Sequence, residues 1–331
     1  MSQYLGDLKT YESFLEYVHT ISHLKGLLQT GQVLVAHDLN SDLLSSQYAP
    51  QAEKRIVVQH HHAHMASCIL EHRLNQDVIG IIYDGTGLGT DGAAWGGEIF
   101  TGNTKEYTRI AHWKNITLQG GDLAVQQPWR CAACYLHAAG INACRVLKNI
   151  DEKRMTAVHN ALEEGILCCK SSSMGRLFDA AAAILNVRDE ITYDAQAAIE
   201  LEAIADPTTP DCYSYTIKIE DEKLTLCHDG IIRGIVEDME SGVEKSRISA
   251  KFHNTIIAAT AHCVERIRDK TGISQIVLSG GVFENQFILL GLIRELSATG
   301  FKVYHNQRIP INDGGVSFGQ AAVAAAILED M

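Results

Sequence analysis

The sequence has no long apolar run. The longest, such as Val78 to Tyr83 and Ala321 to Leu328, fall far short of the roughly 20 residues a membrane-crossing helix needs, so no span is expected. The N-terminus, Met1-Ser2-Gln3-Tyr4-Leu5-Gly6-Asp7, lacks the basic stretch and apolar core of a secretory signal, and a cytoplasmic protein is the expectation. Dense Lys/Arg stretches are missing and the formal charge is −12. This demotes DNA and RNA as partners, because phosphate backbones are held by concentrated positive charge. Nothing matches Gly-x-Ser-x-Gly, a P-loop, or a dinucleotide fingerprint opening a helix after a first strand, so those enzyme classes lose ground. Cys131-x-x-Cys134 has no second pair at zinc-ribbon spacing. The nine Cys, irregularly placed in 331 residues, read as reduced, helix-packed thiols rather than a disulfide framework. His159 and Cys168 lack the spacing logic of a thiol dyad.

What is present is a globular composition, 46% hydrophobic and 21% charged, at a length where two lobes around a cleft are the default. A helical pattern covers Tyr11 to Leu28, with Gly31 as its stop and a short strand at Gln32 to His37. Val78 to Tyr83 and Ala93 to Thr101 read as a β-hairpin around a Gly-rich tip. From Ser249 the order is helix to Lys270, Gly272 as stop, strand Gln275 to Leu278, a Gly280-Gly281 loop, and a helix from Glu284 to Ser297. Strand Lys302 to His305, the loop Asn312-Asp313-Gly314-Gly315 and an Ala-rich helix complete it. Alternation of this kind implies a parallel sheet with ligand loops at its carboxyl edge. The span Asp206 to Asp211, with two of the five prolines, is expected to connect the lobes.

The strongest metal signal is His60-His61-His62-Ala63-His64. Residues i and i+4 of a helix face the same way, so His60 and His64 can present nitrogens to one ion. The plainer alternative is a solvated or phosphate-facing patch. Asp313, at a Gly-rich loop between strand and helix, is the candidate third ligand, and two imidazoles plus a carboxylate suit iron, zinc or manganese. In the segment Asp84-Gly85-Thr86-Gly87-Leu88-Gly89-Thr90-Asp91-Gly92 the glycines allow backbone N–H groups to cradle a phosphate. Asp84 and Asp91 would repel that phosphate and so act through metal or hydroxyl groups. Ser279-Gly280-Gly281-Val282-Phe283-Glu284-Asn285 leads into a helix N-terminus suited to an adenosine phosphate or ribose. Asp179, one turn beyond Gly175 in a capped helix, either accepts ribose hydroxyls or only orders the helix. Trp129-Arg130 is either an anion clamp or surface packing.

These motifs, together with Trp95-Gly96-Gly97-Glu98, Gly120-Gly121-Asp122, Pro128-Trp129-Arg130 and Met174-Gly175-Arg176-Leu177-Phe178-Asp179, occur in the order found in the C-terminal domain of HypF-type carbamoyltransferases. The chain resembles that family from about Ser2 to Leu328. The resemblance implies an α/β, actin-like ATPase fold of two RNase-H-like lobes around a nucleotide and metal cleft. An N-terminal lobe is expected over 1–120, lacking its first strands, and a C-terminal lobe over 121–331 with a helical insert at about 121–200. It implies a divalent metal, iron or zinc, on His60, His64 and Asp313. Asp84, Gly85, Thr86, Gly87 and Gly89 become phosphate-binding, with Gly175, Asp179, Gly280, Gly281 and Asn285 around ATP or carbamoyl-adenylate. The implied reaction moves a carbamoyl group to the C-terminal cysteine of HypE in hydrogenase maturation, with the metal as Lewis acid.

The family's acylphosphatase-like, Cys-rich and YrdC-like adenylating domains have no counterpart in the sequence. Adenylation is therefore expected from a YrdC-like domain in trans or from outside this stretch. Asp194-Ala195 replaces a family Glu-Gly, and Gln119 a family Pro. Two other readings share the motifs: a non-catalytic domain that binds nucleotide or partner, and an O-carbamoyltransferase of small hydroxyl substrates.

Overall fold

A computed structural model describes residues 1–3, 5–6, 8, 10–30, 34–49 and 54–329. Helix α1 (Tyr11–Leu28) starts where Thr10 accepts the Ser13 N–H and the Ser13 hydroxyl accepts the Thr10 N–H, a reciprocal cap. It ends on Gln29 in the left-handed region, φ 50°, while Gly31, the expected stop, lies outside the described residues. Strand β1 (Val35–Asp38) follows; of the expected strand, Gln32 and Val33 also lie outside them. After α2 (Leu44–Tyr48), strand β2 (Arg55–Val58) pairs with β1 in parallel, and α3 (His60–His72) leaves directly from its end.

The large sheet begins with β3 (Val78–Leu88), β4 (Ala94–Gly102) and β5 (Tyr107–Trp113), antiparallel neighbours in turn. Strand β6 (Ile116–Gln119) leads into α4 (Asp122–Gln126), α5 (Pro128–Ala138), α6 (Ala143–Val146) and α7 (Glu152–Glu164). Strand β7 (Cys168–Ser171) pairs with β6 and touches β4, before α8 (Met174–Ile184) and α9 (Gln196–Ala203). Next come the hairpin β8 (Thr216–Glu220) and β9 (Lys223–Cys227), α10 (Asp229–Glu240) and α11 (Lys245–Thr271). Strand β10 (Gln275–Ser279), α12 (Gln286–Ala298), β11 (Lys302–His305) and α13 (Val316–Leu328) end the chain. Helix α11 buries Phe252, Ile256, Cys263 and Ile267 and stops at Gly272, φ 74°, as its apolar spacing predicts. No helix among the described residues is long and apolar enough to cross a membrane.

The strand order β11-β10-β3-β4-β5 places three antiparallel strands beside two parallel ones, the RNase-H-like arrangement that an actin-like fold requires. Strands β9 and β8 extend its far edge. This corrects the expected boundary at residue 120, which would separate β3 and β5 from their hydrogen-bonded neighbours β10 and β9. The smaller unit is instead the β1–β2 pair with α3 and, from the other end of the chain, α13. Val58, Ala63, Ala66, Val316, Ala322 and Val323 form its core. Helices α3 and α13 cross at Gly319, where a side chain would stand 1.8 Å from the Ala63 carbonyl oxygen. Among the described residues, β1 and β2 have no antiparallel strands beside them. The Asp206–Asp211 span is likewise no bridge between lobes: it joins α9 to β8, and Asn254 of α11 donates to the Thr209 and Asp211 carbonyls.

Candidate metal centre and nucleotide cleft

Strand β2 ends at Val58, and Gln59 caps α3 by accepting the His62 N–H at 2.9 Å, so the helix opens on the histidines. His60 and His64, one turn apart, have ring centroids 5.0 Å from each other. Asp84 is delivered by β3 where its pairing with β4 is interrupted between Tyr83 and Gly87. Asp313 sits in a tight turn, Asp313–Gly315, whose entry is fixed by Asn312 accepting the Gly314 N–H. The His60 Nε2 lies 3.2 Å from Asp84 Oδ2 and 3.4 Å from Asp313 Oδ1; the His64 Nε2 lies 3.5 and 3.4 Å from the same atoms. None of these approaches has hydrogen-bond geometry, and both Nε2 atoms are buried without a partner.

Two imidazoles and two carboxylates, with one ligand atom each inside a 4.8 Å circle, fit a divalent ion better than they fit one another. The electrostatics agree. Burial alone would lower the His60 and His64 pKa values, yet Asp313, Asp84 and, for His60, Asp38 outweigh it and raise both, His60 well above the ordinary value. Burial pushes the Asp84 and Asp313 carboxyls up, but the two imidazoles hold Asp84 well below the usual range and Asp313 at about 2. The cluster is thus a concentrated set of charges awaiting a cation. Asp38, at the end of β1, accepts from His60 Nδ1 at 2.9 Å, which puts the neutral ring's proton on Nδ1 and aims Nε2 at the centre. His62 turns away to bond the Asn103 carbonyl and stack on Tyr107.

The Gly-rich segments meet at this centre, though not every glycine faces it. Gly175, at the start of α8, packs on Gly85: a side chain there would come 2.9 Å from the Gly85 Cα, and the Ser173 hydroxyl donates to the Gly85 carbonyl. Thr86 and Gly87 lie in the interrupted stretch of β3, and Gly87 covers the His60 and His61 rings. Gly89 belongs to the turn instead, its N–H bonded to the Ala93 carbonyl at 2.8 Å and its α-carbon against Trp95. Gly280 adopts φ 108° with no room for a side chain beside the Tyr83 carbonyl, and the Gly281 N–H donates to Asp84 Oδ1 at 3.1 Å. Asp84 therefore ties the metal centre to the second Gly loop.

Asn285 caps α12 through Oδ1 and donates from Nδ2 to His253, leaving one amide hydrogen for a ligand. Asp179 is buried 2.9 Å from the Arg176 Nε, and burial, partly offset by Arg176, pushes its pKa up to about 6. Trp129 is wholly buried between the guanidinium groups of Arg130 and Arg154, so it clamps no anion. Cys131 and Cys134 are buried thiols whose pKa values burial raises, Cys134 to about 11.

Sequence reasoning missed Asp38, one residue beyond the expected strand, and grouped Asp84 with the phosphate loop, acting through metal or hydroxyl groups, without setting it beside His60, His64 and Asp313.

Two family descriptions match the chain: "HypF Kae1-like domain" over residues 1–71 and "Carbamoyltransferase, Kae1-like Domain, second subdomain" over residues 80–320. Carbamoyltransferase HypF2 of Cupriavidus necator is 32% identical over 98% of this chain and 44% of its own length. A second protein of that organism, described as a carbamoyltransferase HypF homolog, is 36% identical over 89% of this chain and 78% of its own length. A crystal structure of full-length HypF in a phosphate- and nucleotide-bound form superposes with a TM-score of 0.95 at 42% identity, covering 99% of this chain and 43% of that one. The chain therefore spans less than half of the full-length proteins. With matches along its whole length, it belongs to the HypF carbamoyltransferase family and represents that family's Kae1-like domain.

Proposed function

We propose that this chain transfers a carbamoyl group from carbamoyl-adenylate to an acceptor thiolate, the C-terminal cysteine of a HypE-like protein in hydrogenase maturation. One observation carries the reading: the unpartnered His60 and His64 Nε2 atoms converge with Asp84 and Asp313 where the Gly85 and Gly281 loops meet. His60, His64, Asp84 and Asp313 would hold a divalent metal, iron or zinc, which supplies Lewis-acid polarisation of the carbamoyl oxygen. Asp38 keeps the His60 ring in the ligating tautomer. The Gly85–Gly87 segment and the loop before α12 hold the nucleotide, with Asp179 and Asn285 towards its ribose. The thiolate sulfur attacks the carbamoyl carbon, the bond from that carbon to the adenylate oxygen breaks, and AMP leaves with the electron pair. Fixing nucleotide and acceptor in one cleft supplies the proximity the step needs.

A YrdC-like domain supplies the adenylate. Incubation with carbamoyl phosphate, ATP and a HypE-like acceptor should therefore leave the acceptor cysteine unmodified, and adding an isolated YrdC-like domain should produce a carbamoyl mass increase on it. Robust transfer without that domain would contradict the division of labour. No transfer with it, alongside normal metal and nucleotide binding, would favour the non-catalytic reading.

A further inference from the structure

His61 belongs to neither the metal set nor the core, and its hydrogen bonds define one proton position. The Gln59 amide is oriented by two backbone groups: Oε1 accepts the His62 N–H at 2.9 Å, and Nε2 donates to the Leu88 carbonyl at 3.2 Å. The same Nε2 lies 3.0 Å from His61 Nδ1, and an amide nitrogen can only donate there. The His61 Nδ1 is therefore an acceptor, and the ring carries its proton on Nε2. That Nε2–H is a donor with no partner, on a side chain of zero exposure. A buried donor without an acceptor is costly and rare in folded proteins.

The ring lies under the Gly-rich segment. A side chain on Gly87 would come within 2.7 Å of His61 Cε1, the atom next to Nε2, and within 3.0 Å of the neighbouring His60 ring. The segment assigned above to the nucleotide therefore lies against this ring at Gly87. We infer that the His61 Nε2–H donates to a phosphoryl oxygen bound in that segment, with Gln59 as the residue that fixes the donor. The inference deepens the proposed function and rests on its nucleotide cleft. Phosphate chemistry fits because an ionised phosphoryl oxygen is an acceptor, which matches a ring locked as a donor. His61 is then a ligand-positioning residue beside the metal, and not a ligand of it.

The test compares His61→Gln with His61→Met, side chains of similar length with and without an N–H. Metal-loaded full chain is titrated calorimetrically with ADP and, separately, with inorganic phosphate. The expected result is metal content at the wild-type level in both variants, with ADP affinity roughly tenfold weaker in His61→Met and largely kept in His61→Gln. Loss with ADP and phosphate alike puts the donor on any phosphoryl group in the segment; loss with ADP alone puts it on the nucleotide's. Should neither variant fold, the imidazole ¹⁵N resonances of the wild-type chain answer the question: Nε2 should be protonated and shift on adding ADP. Equal ADP affinity in both variants, or a proton on Nδ1, overturns the inference while leaving the cleft in place. A wild-type chain that binds metal but neither ADP nor phosphate overturns the nucleotide cleft itself, and the inference with it.

Discussion

Two buried polar clusters adjoin on the β3–β4 hairpin, one around Glu98 of β4, which pairs with Ile82, and one that includes Asp84 of β3, and they are built on opposite principles. Around Glu98, every oxygen is used: Oε1 accepts from the Gly96 and Gly97 N–H groups and the Ser172 hydroxyl, and Oε2 accepts from Arg109 Nε at 2.6 Å. Arg109 also reaches Asp91 and lies 4.2 Å over the Trp95 ring, whose N–H is held by Asp91. Around His60 and His64, the nitrogens that face the centre have no partner at all. A satisfied network braces a fold, whereas an unsatisfied one of this charge density needs a ligand to complete it. The family motif Trp95-Gly96-Gly97-Glu98 accordingly reads as the brace that holds Asp84 in place, and the histidine motif as the part that works.

Breaking the brace should have the largest effect on stability and little on binding. Glu98→Gln removes the charge opposite Arg109, whose side chain is only 9% exposed, and losing one partner of a buried pair costs about 3 kcal/mol or more. Denaturant unfolding should show that loss while metal content per folded chain stays constant. Loss of metal at unchanged stability would instead make Glu98 part of the site.

Asp179 stands between the two cases, paired with Arg176 but pushed up to about 6 by burial. An aspartate whose folded pKa exceeds its unfolded value of about 3.9 binds its proton more tightly when folded. Stability should therefore fall as pH rises from about 4 to 6, by up to about 3 kcal/mol, and stay level above. Asp179→Asn should flatten that part of the pH profile and weaken ADP binding by about 1–3 kcal/mol if the carboxylate meets ribose hydroxyls. An unchanged ADP titration would make Asp179 a purely structural partner of Arg176.

The smallest effect lies outside both clusters and calibrates them. Ala195 opens α9 at φ 60°, a conformation that strains any residue with a Cβ. Ala195→Gly should stabilise by about 0.5–1 kcal/mol after the added chain entropy is subtracted, seen as a small rise in melting temperature with no change in metal or nucleotide affinity. Destabilisation would mean that the Ala195 methyl packs usefully.

Much of this was legible in the sequence because it is local. Helix spacing alone pairs His60 with His64, and glycine after an amphipathic run ends α11. What was not legible depends on neighbours distant in sequence. Asp38 reaches His60 only because β1 and β2 run parallel, and a boundary at residue 120 looked natural until β10 and β9 proved to flank the β3–β5 strands. Glycine was ambiguous for the same reason. Gly89 leaves room for Trp95 and Gly175 for Gly85, and the residue type does not say whether a glycine makes space for a ring, a backbone or a phosphate.

The central claim is that His60, His64, Asp84 and Asp313 form one metal centre from which His61 is excluded despite lying between the two histidines. Elemental analysis of purified wild-type chain and of the His60→Ala, Asp313→Ala and His61→Ala variants after loading with zinc tests it directly. The account predicts about one ion per wild-type chain, nearly complete loss in the first two variants, and wild-type content in the third, since only the i, i+4 pair shares a face. Equal loss in all three variants, or full retention in His60→Ala, would contradict it.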